Sequence, residues 1–412
     1  MTQAAEDKDR KDGGDLPPPP TAQVVAVTMI AQVVVTVCTV GPSAIAPELA
    51  RAFDVPASLI GFQVSIVYLG AIITSGVGGL PIKRWGALRT SQFALAFGGL
   101  GIALMTASSL ASLALGSLLV GFGYGLTNPA ASHLLMRVTR PETRNLVFSL
   151  KQTSVPLGAV TAGLAAPTLA LDFGWQTALL AGAAVSFAVL VAIQPFRRDW
   201  DADHDPTVPL RQNPAGDFNL AWRDAALRQV SMTGFCFSAV QLCLTTFTVT
   251  MLVEELGFGL VAAGIAFSVV QVAGVSGRLI WGGVADRLRD GNRVLMMSGA
   301  VAAAAGLMTV FLDADAARPV IYGVLILFGA SAIGWNGVFM AEVARLAPEG
   351  QIGSVTGGVM VTTYAGVLVG PVSFAGAFAL TGHYTFTFGF CAAASLIGIS
   401  AVIATRRRMA RR

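Results

Sequence analysis

The chain has 412 residues, of which 54% are hydrophobic and only 12% charged, and its mean hydropathy is +0.68. No soluble domain needs such an apolar surplus, so the composition excludes a cytosolic enzyme and describes a polytopic helical membrane protein. The net charge of +4 comes with a steep sidedness of the basic loops and is no argument for nucleic acid.

Residues 1–22 mix acids and bases before Pro17 to Pro20, the composition of a disordered tail; they lack an apolar h-region and do not read as a cleaved signal peptide. Spans of about 20 residues are expected at 24–46, 59–80, 91–109, 112–136, 146–170 and 176–195. Residues 196–228 interrupt them with Arg197, Arg198, four Asp by residue 205, and Pro206, Pro209 and Pro214. This reads as a cytoplasmic linker, in which Phe218 to Arg228 has the character of an interfacial helix. Spans resume at 229–252, 261–284, 294–312, 319–344, 354–378 and 384–405, followed by a basic tail at 406–412. The expected fold is therefore all-α, with twelve transmembrane helices in two six-helix bundles, 23–195 and 229–405.

Of the 27 Lys and Arg, only Arg51 and Arg318 fall in loops on one side, Lys151 and Arg278 lie inside spans, and the other 23 share a side with both termini. The positive-inside rule puts both termini in the cytoplasm of a cell whose inner membrane holds the chain. Cys38, Cys236, Cys243 and Cys391 lie in apolar spans without metal spacing and read as small packing residues. No phosphate-binding loop appears either, so neither a cofactor nor enzymatic chemistry is expected.

Two cations inside spans are the polar residues that packing explains least. Arg278 stands in an apolar run from about Val261 to Asp286, and eight residues of helix put it about 12 Å from that boundary, near the middle of a ~30 Å core. A guanidinium there costs ~2.5 kcal/mol or more unless it faces a wet cavity, an anion, or carbonyls at a helix end. Lys151 lies about 10 Å into span five and either faces the same cavity or snorkels back to the surface. Gln271, Gly274 and Arg278 share one face of span eight, and Tyr124 and Asn128 are four apart on span four. These, with Asn336 in span ten, are the candidate substrate-binding residues; Tyr364 in span eleven, Gln32 and Gln241 are weaker ones. Interhelical polar glue explains the neutral members equally well. His133 and Glu342 are the candidates for proton coupling, although Glu342 sits where an ordinary ion pair with Arg345 is also expected.

The halves repeat weakly. Asn128 and Asn336, Arg137 and Arg345, and Gly158 and Gly366 each stand 208 residues apart. Such halves enclose a midplane site. Gly79-Leu-Pro-Ile-Lys-Arg-Trp-Gly86 with Arg89, and Gly282-Gly-Val-Ala-Asp-Arg-Leu with Gly291 and Arg293, resemble the loop signature of the major facilitator superfamily. The first copy departs from it, with Lys83 where that family has Asp. The resemblance implies that Asp286, beside Arg287, acts as a gate brace against the start of span five, and that the Lys83 side lacks this contact. Leu150-Lys-Gln-Thr-Ser-Val-Pro-Leu-Gly158 resembles the cyanate-permease-like group. Gly277-Arg278 followed by Asp286 resembles span eight of the monocarboxylate and oxalate–formate transporters, which implies Arg278 as the carboxylate-binding residue. The span-eleven lysine of oxalate–formate exchangers is missing, since 354–378 hold no charge.

The expectation is a monomeric secondary transporter for a small organic anion, a monocarboxylate, moved by alternating access with protons as an open coupling partner. Efflux of amphipathic drugs is the rival within transport, and a membrane receptor or scaffold the rival outside it.

Overall fold

The computed structural model describes residues 19–409 except 56, 108 and 210–215. Most of the expected tail at 1–22 and the end of 406–412 lie outside the described residues. Among the described residues all regular structure is helical, and eleven helices are long and apolar enough to cross a membrane. The twelfth crossing is span two, Ala57–Ser75 and Gly79–Trp85, bent by 55° at its break. Spans one, three, four and six are Thr21–Ala44, Ala87–Met105, Leu110–Val138 and Trp175–Ala192. Spans seven, eight, nine, eleven and twelve are Ala225–Glu254, Leu260–Leu288, Gly291–Met308, Ile352–Thr381 and Tyr384–Met409.

Among the described residues two further spans are broken, and in span five the local sequence says why. Span five runs as Arg144–Gln152 and Ser154–Phe173, span ten as Arg318–Ala332 and Asn336–Leu346. Pro156 has no N–H for the carbonyl of Gln152, four residues earlier, so that oxygen must find another donor. Pro129 frees the Gly125 carbonyl in the same way, and the Ser75 hydroxyl donates to it at 3.0 Å.

The linker is not a loose tether. Asp201 caps span three, accepting from the amides of Leu88 at 2.7 Å and Arg89 at 2.9 Å. The interfacial helix expected from Phe218 to Arg228 is two helices: a linker helix, Gly216–Arg223, and the start of span seven at Ala225. Between them Asp224 leaves the helical conformation and its carboxylate takes the amides of Ala226 and Leu227, an N-cap that ends one helix and begins the next. The linker helix lies on span eleven, with Ala221 fully buried.

The described residues form three apolar cores. One spans both bundles on the face that carries the linker and both described chain ends, with Phe148 of span five and Ile82 of span two packed among Val338, Phe339 and Val355. The other two belong to single bundles on the far face, around Leu179 in the first half and Phe328 in the second. The bundles therefore join at the linker face and part toward the far face. Small residues make the joint close. Ser149 of span five lies against Gly282 and Gly337, and Ser354 of span eleven lies against Gly79.

Candidate functional site

At the upper edge of this joint, where the bundles begin to separate, a cavity of about 90 Å³ is lined by Arg278, Tyr124, Asn128, Asn336 and Tyr364. Formed ligand sites usually offer several hundred Å³. Here the polar groups have closed on one another, and any cargo larger than a few waters must part them.

Arg278 is 3% exposed and reaches across the joint. Its Nε donates to the carbonyl of Ile333 at the break in span ten, 3.1 Å away, and its Nη1 to the carbonyl of Gln152 at the break in span five. The Gln152 oxygen is the one that Pro156 leaves without an intrahelical donor. Thus Arg278 satisfies one freed carbonyl in each bundle. Its Nη2 has no hydrogen-bond partner among the described residues.

Lys151 is equally buried, and it does not snorkel. Its ammonium donates to three amide oxygens, Asn128 Oδ1 at 2.7 Å, Gln32 Oε1 at 3.1 Å and Gln152 Oε1 at 3.4 Å. It therefore stands behind Asn128, one layer back from the cavity. Asn128 passes the contact on, donating from Nδ2 to the Tyr364 hydroxyl of the other bundle at 3.3 Å. Lys151 and Arg278 both bond to Gln152, one to its side-chain oxygen and the other to its carbonyl. Neither has a hydrogen-bonded carboxylate among the described residues.

Three of the five tyrosines meet at this point. Tyr68, Tyr124 and Tyr364 stand with ring centroids 5.7 to 5.8 Å apart in tilted and edge-to-face arrangements. On the second bundle Gln241 Oε1 accepts from Asn336 Nδ2 at 2.9 Å and Trp335 Nε1 at 3.1 Å, which fixes both side chains at the span-ten break.

Not every candidate arrives here. Gln271 is not among the cavity-lining residues, and its buried Oε1 lacks a partner; Gly274, which was to share its face, packs against Ile333 instead. One turn of that face is occupied by span ten. His133 is bound to the linker, 2.7 Å from Asp203. Burial pushes the Asp203 carboxyl up, but His133 and Arg137 outweigh it and hold it below its ordinary value. Glu342 pairs with Arg345 at 2.5 Å and accepts from Asn292 at 2.8 Å, both on the linker face. Both proton-coupling candidates are thus held by other side chains away from the cavity.

Asp286 reaches the start of span five. Oδ1 accepts from the Asn145 amide at 2.9 Å and its Nδ2 at 2.8 Å, and Oδ2 from the Leu146 amide at 2.8 Å. The carboxylate of one bundle caps a helix start in the other. Arg287 is exposed and takes no part in this contact. Sequence reasoning missed Tyr68 and Gln152. Gln152 was signalled by the proline four residues on; Tyr68 had no signal beyond being a lone polar ring in an apolar span.

Residues 28–371 match the family model described as Major Facilitator Superfamily. The chain is 28% identical over 353 residues to the 3-(3-hydroxy-phenyl)propionate transporter of Escherichia coli K12, covering 78% of this chain and 85% of that one. It is 31% identical over 139 residues to the 4-hydroxybenzoate transporter of Acinetobacter baylyi, covering 34% and 30%. Among solved structures the fucose:proton symporter of Escherichia coli superimposes with a TM-score of 0.74 at 17% identity, over 93% of this chain and 98% of that one.

Proposed function

The chain belongs to the Major Facilitator Superfamily, and from that premise we propose that it carries a small organic anion, a monocarboxylate, by alternating access. One observation carries this reading: two buried cations at the joint of the bundles, held among the described residues only by neutral oxygens. Uncompensated charge in a low-dielectric site is costly, and a bound carboxylate relieves it. Arg278 offers the free Nη2 and can exchange a carbonyl for the second arm of a two-pronged bond to the cargo. Lys151 adds positive potential from behind, and the tyrosine cluster offers aromatic faces and hydroxyls to the rest of the cargo.

The two named relatives support the same class, since both are carriers of aromatic carboxylates by their names. On this reading the linker face is cytoplasmic and shut, and the far face admits the anion. Cargo bound at Arg278 draws the bundles together on the far side, and the linker-face contacts then part to release it.

Proteoliposome uptake of labelled aromatic and short aliphatic monocarboxylates, each beside its uncharged amide, tests the proposal. A charge-assisted bond favours the acid by about ten-fold or more. Equal uptake of acid and amide overturns the anionic class. Orientation is tested separately by single cysteines at the exposed Ala202 and Ala314: an impermeant thiol reagent on intact cells should label only the latter, because the basic residues gather on the linker side.

A further inference from the structure

We propose that Asp217 supplies, from the linker, the carboxylate that position 83 lacks, so that the linker helix is the second bolt of the linker-face gate. Asp286 follows Gly282 by four residues and anchors the start of span five with three hydrogen bonds. The related position in the first half, four residues after Gly79, holds Lys83. Its counterpart contact would be with the start of span eleven, where a lysine cannot accept a hydrogen bond.

Asp217 stands in that gap. Its Oδ2 accepts from the Gly79 amide at 2.6 Å, on the span-two side of the joint. On the span-eleven side the same oxygen lies beside Gly357, one turn from Ser354. Burial pushes the Asp217 carboxyl up, and the Gly79 amide, Ser354 and Lys83 each pull against it. The linker helix backbone rests on Gly358, and Trp222 Nε1 donates to Thr362 Oγ1 at 3.2 Å, so the helix is seated on the second bundle. Ser354 lies directly against Gly79. That contact must part if the face opens, and Asp217 then has to release one of its two sides. The linker helix thus moves with the gate in every cycle, in place of the charged turn that serves the other half.

The proposal rests on the reading that the bundles rock, but its test needs no cargo. Spin labels at Arg140→Cys and Glu349→Cys, two exposed linker-face positions in opposite bundles, report opening by pulsed distance measurement; the four native cysteines are buried. Asp217→Asn should lower the closed-to-open ratio about ten-fold, comparable with Asp286→Asn measured beside it. Adding Lys83→Asp to Asp217→Asn should return the short distance, because it restores a carboxylate at the position related to Asp286. Ser354→Val, which puts bulk against Gly79 where the two bundles meet, should shift the ratio the same way and stands in if Asp217→Asn does not fold. An unchanged distance in Asp217→Asn, or one that Lys83→Asp does not restore, overturns the proposal. Failure of every organic acid in uptake assays would sink the cargo assignment and leave this result intact.

Discussion

Arg278→Gln is expected to give a folded protein that no longer carries an organic acid, and Arg278→Lys one that binds it roughly ten- to 150-fold more weakly. The range follows from ~1.5–3 kcal/mol for a charge-assisted bond, since lysine keeps the charge and loses the planar fork. The geometry sharpens the test. Arg278 already serves two carbonyls, at Gln152 and Ile333, so a purely structural arginine would show itself as lost stability with binding unchanged in whatever protein folds. Pro156→Ala separates the two roles from the other side. It returns an N–H to the Gln152 carbonyl, relieving Arg278 of that duty, and should leave cargo affinity unchanged or higher. Binding to monodisperse, detergent-purified variants decides. If folded Arg278→Gln binds as tightly as the parent, the site assignment fails.

Gly337→Val should trap the transporter with its linker face open and cut turnover by a similar factor. A Cβ at Gly337 would run into Ser149, backbone included, at the closest approach of spans ten and five. Overpacking costs ~1–3 kcal/mol where a core cannot yield. Here the cost falls on the closed face alone, because the two surfaces belong to different bundles and separate when that face opens. A penalty applied to one state shifts the population by that amount, about five- to 150-fold. The same Arg140–Glu349 distance should lengthen, while the melting temperature falls little. A variant that melts early with the distance unchanged would mean that Gly337 packs within a bundle rather than between them.

How much of this was legible beforehand can be followed residue by residue. Length and apolar runs determined the twelve crossings, because a helix rises 1.5 Å per residue and the bilayer is ~30 Å thick. The price of charge in hydrocarbon singled out Arg278 and Lys151. The family resemblance singled out Asp286, and the structure shows its carboxylate on the start of span five. Within a span, however, sequence names residues without saying where they point. Lipid is as apolar as a helix interface, so a transmembrane helix carries no polar face against which to read its partner side.

That is why Gln271 was grouped with Arg278 while span ten in fact occupies the face between them. It is also why Tyr68 went unseen until folding set it beside Tyr124 and Tyr364. Lys151 was known to be expensive. Only packing decided that three amides from spans one, four and five would surround it. Asn128 and Tyr364 are 236 residues apart, and nothing local ties them. The linker was read as a polar interruption from its prolines and aspartates, which is what its composition says. Its docking depends on amides exposed at the starts of other helices, Leu88 and Gly79 among them, and those donors are aimed only once the bundles stand side by side. Sequence by itself therefore determined the crossings, the repeat and the buried charges, because solvation energy is a property of each residue in its run. Tertiary structure alone decided which of those charges meet a carbonyl, an amide or a cavity, because hydrogen bonds depend on distances that no spacing along one helix contains.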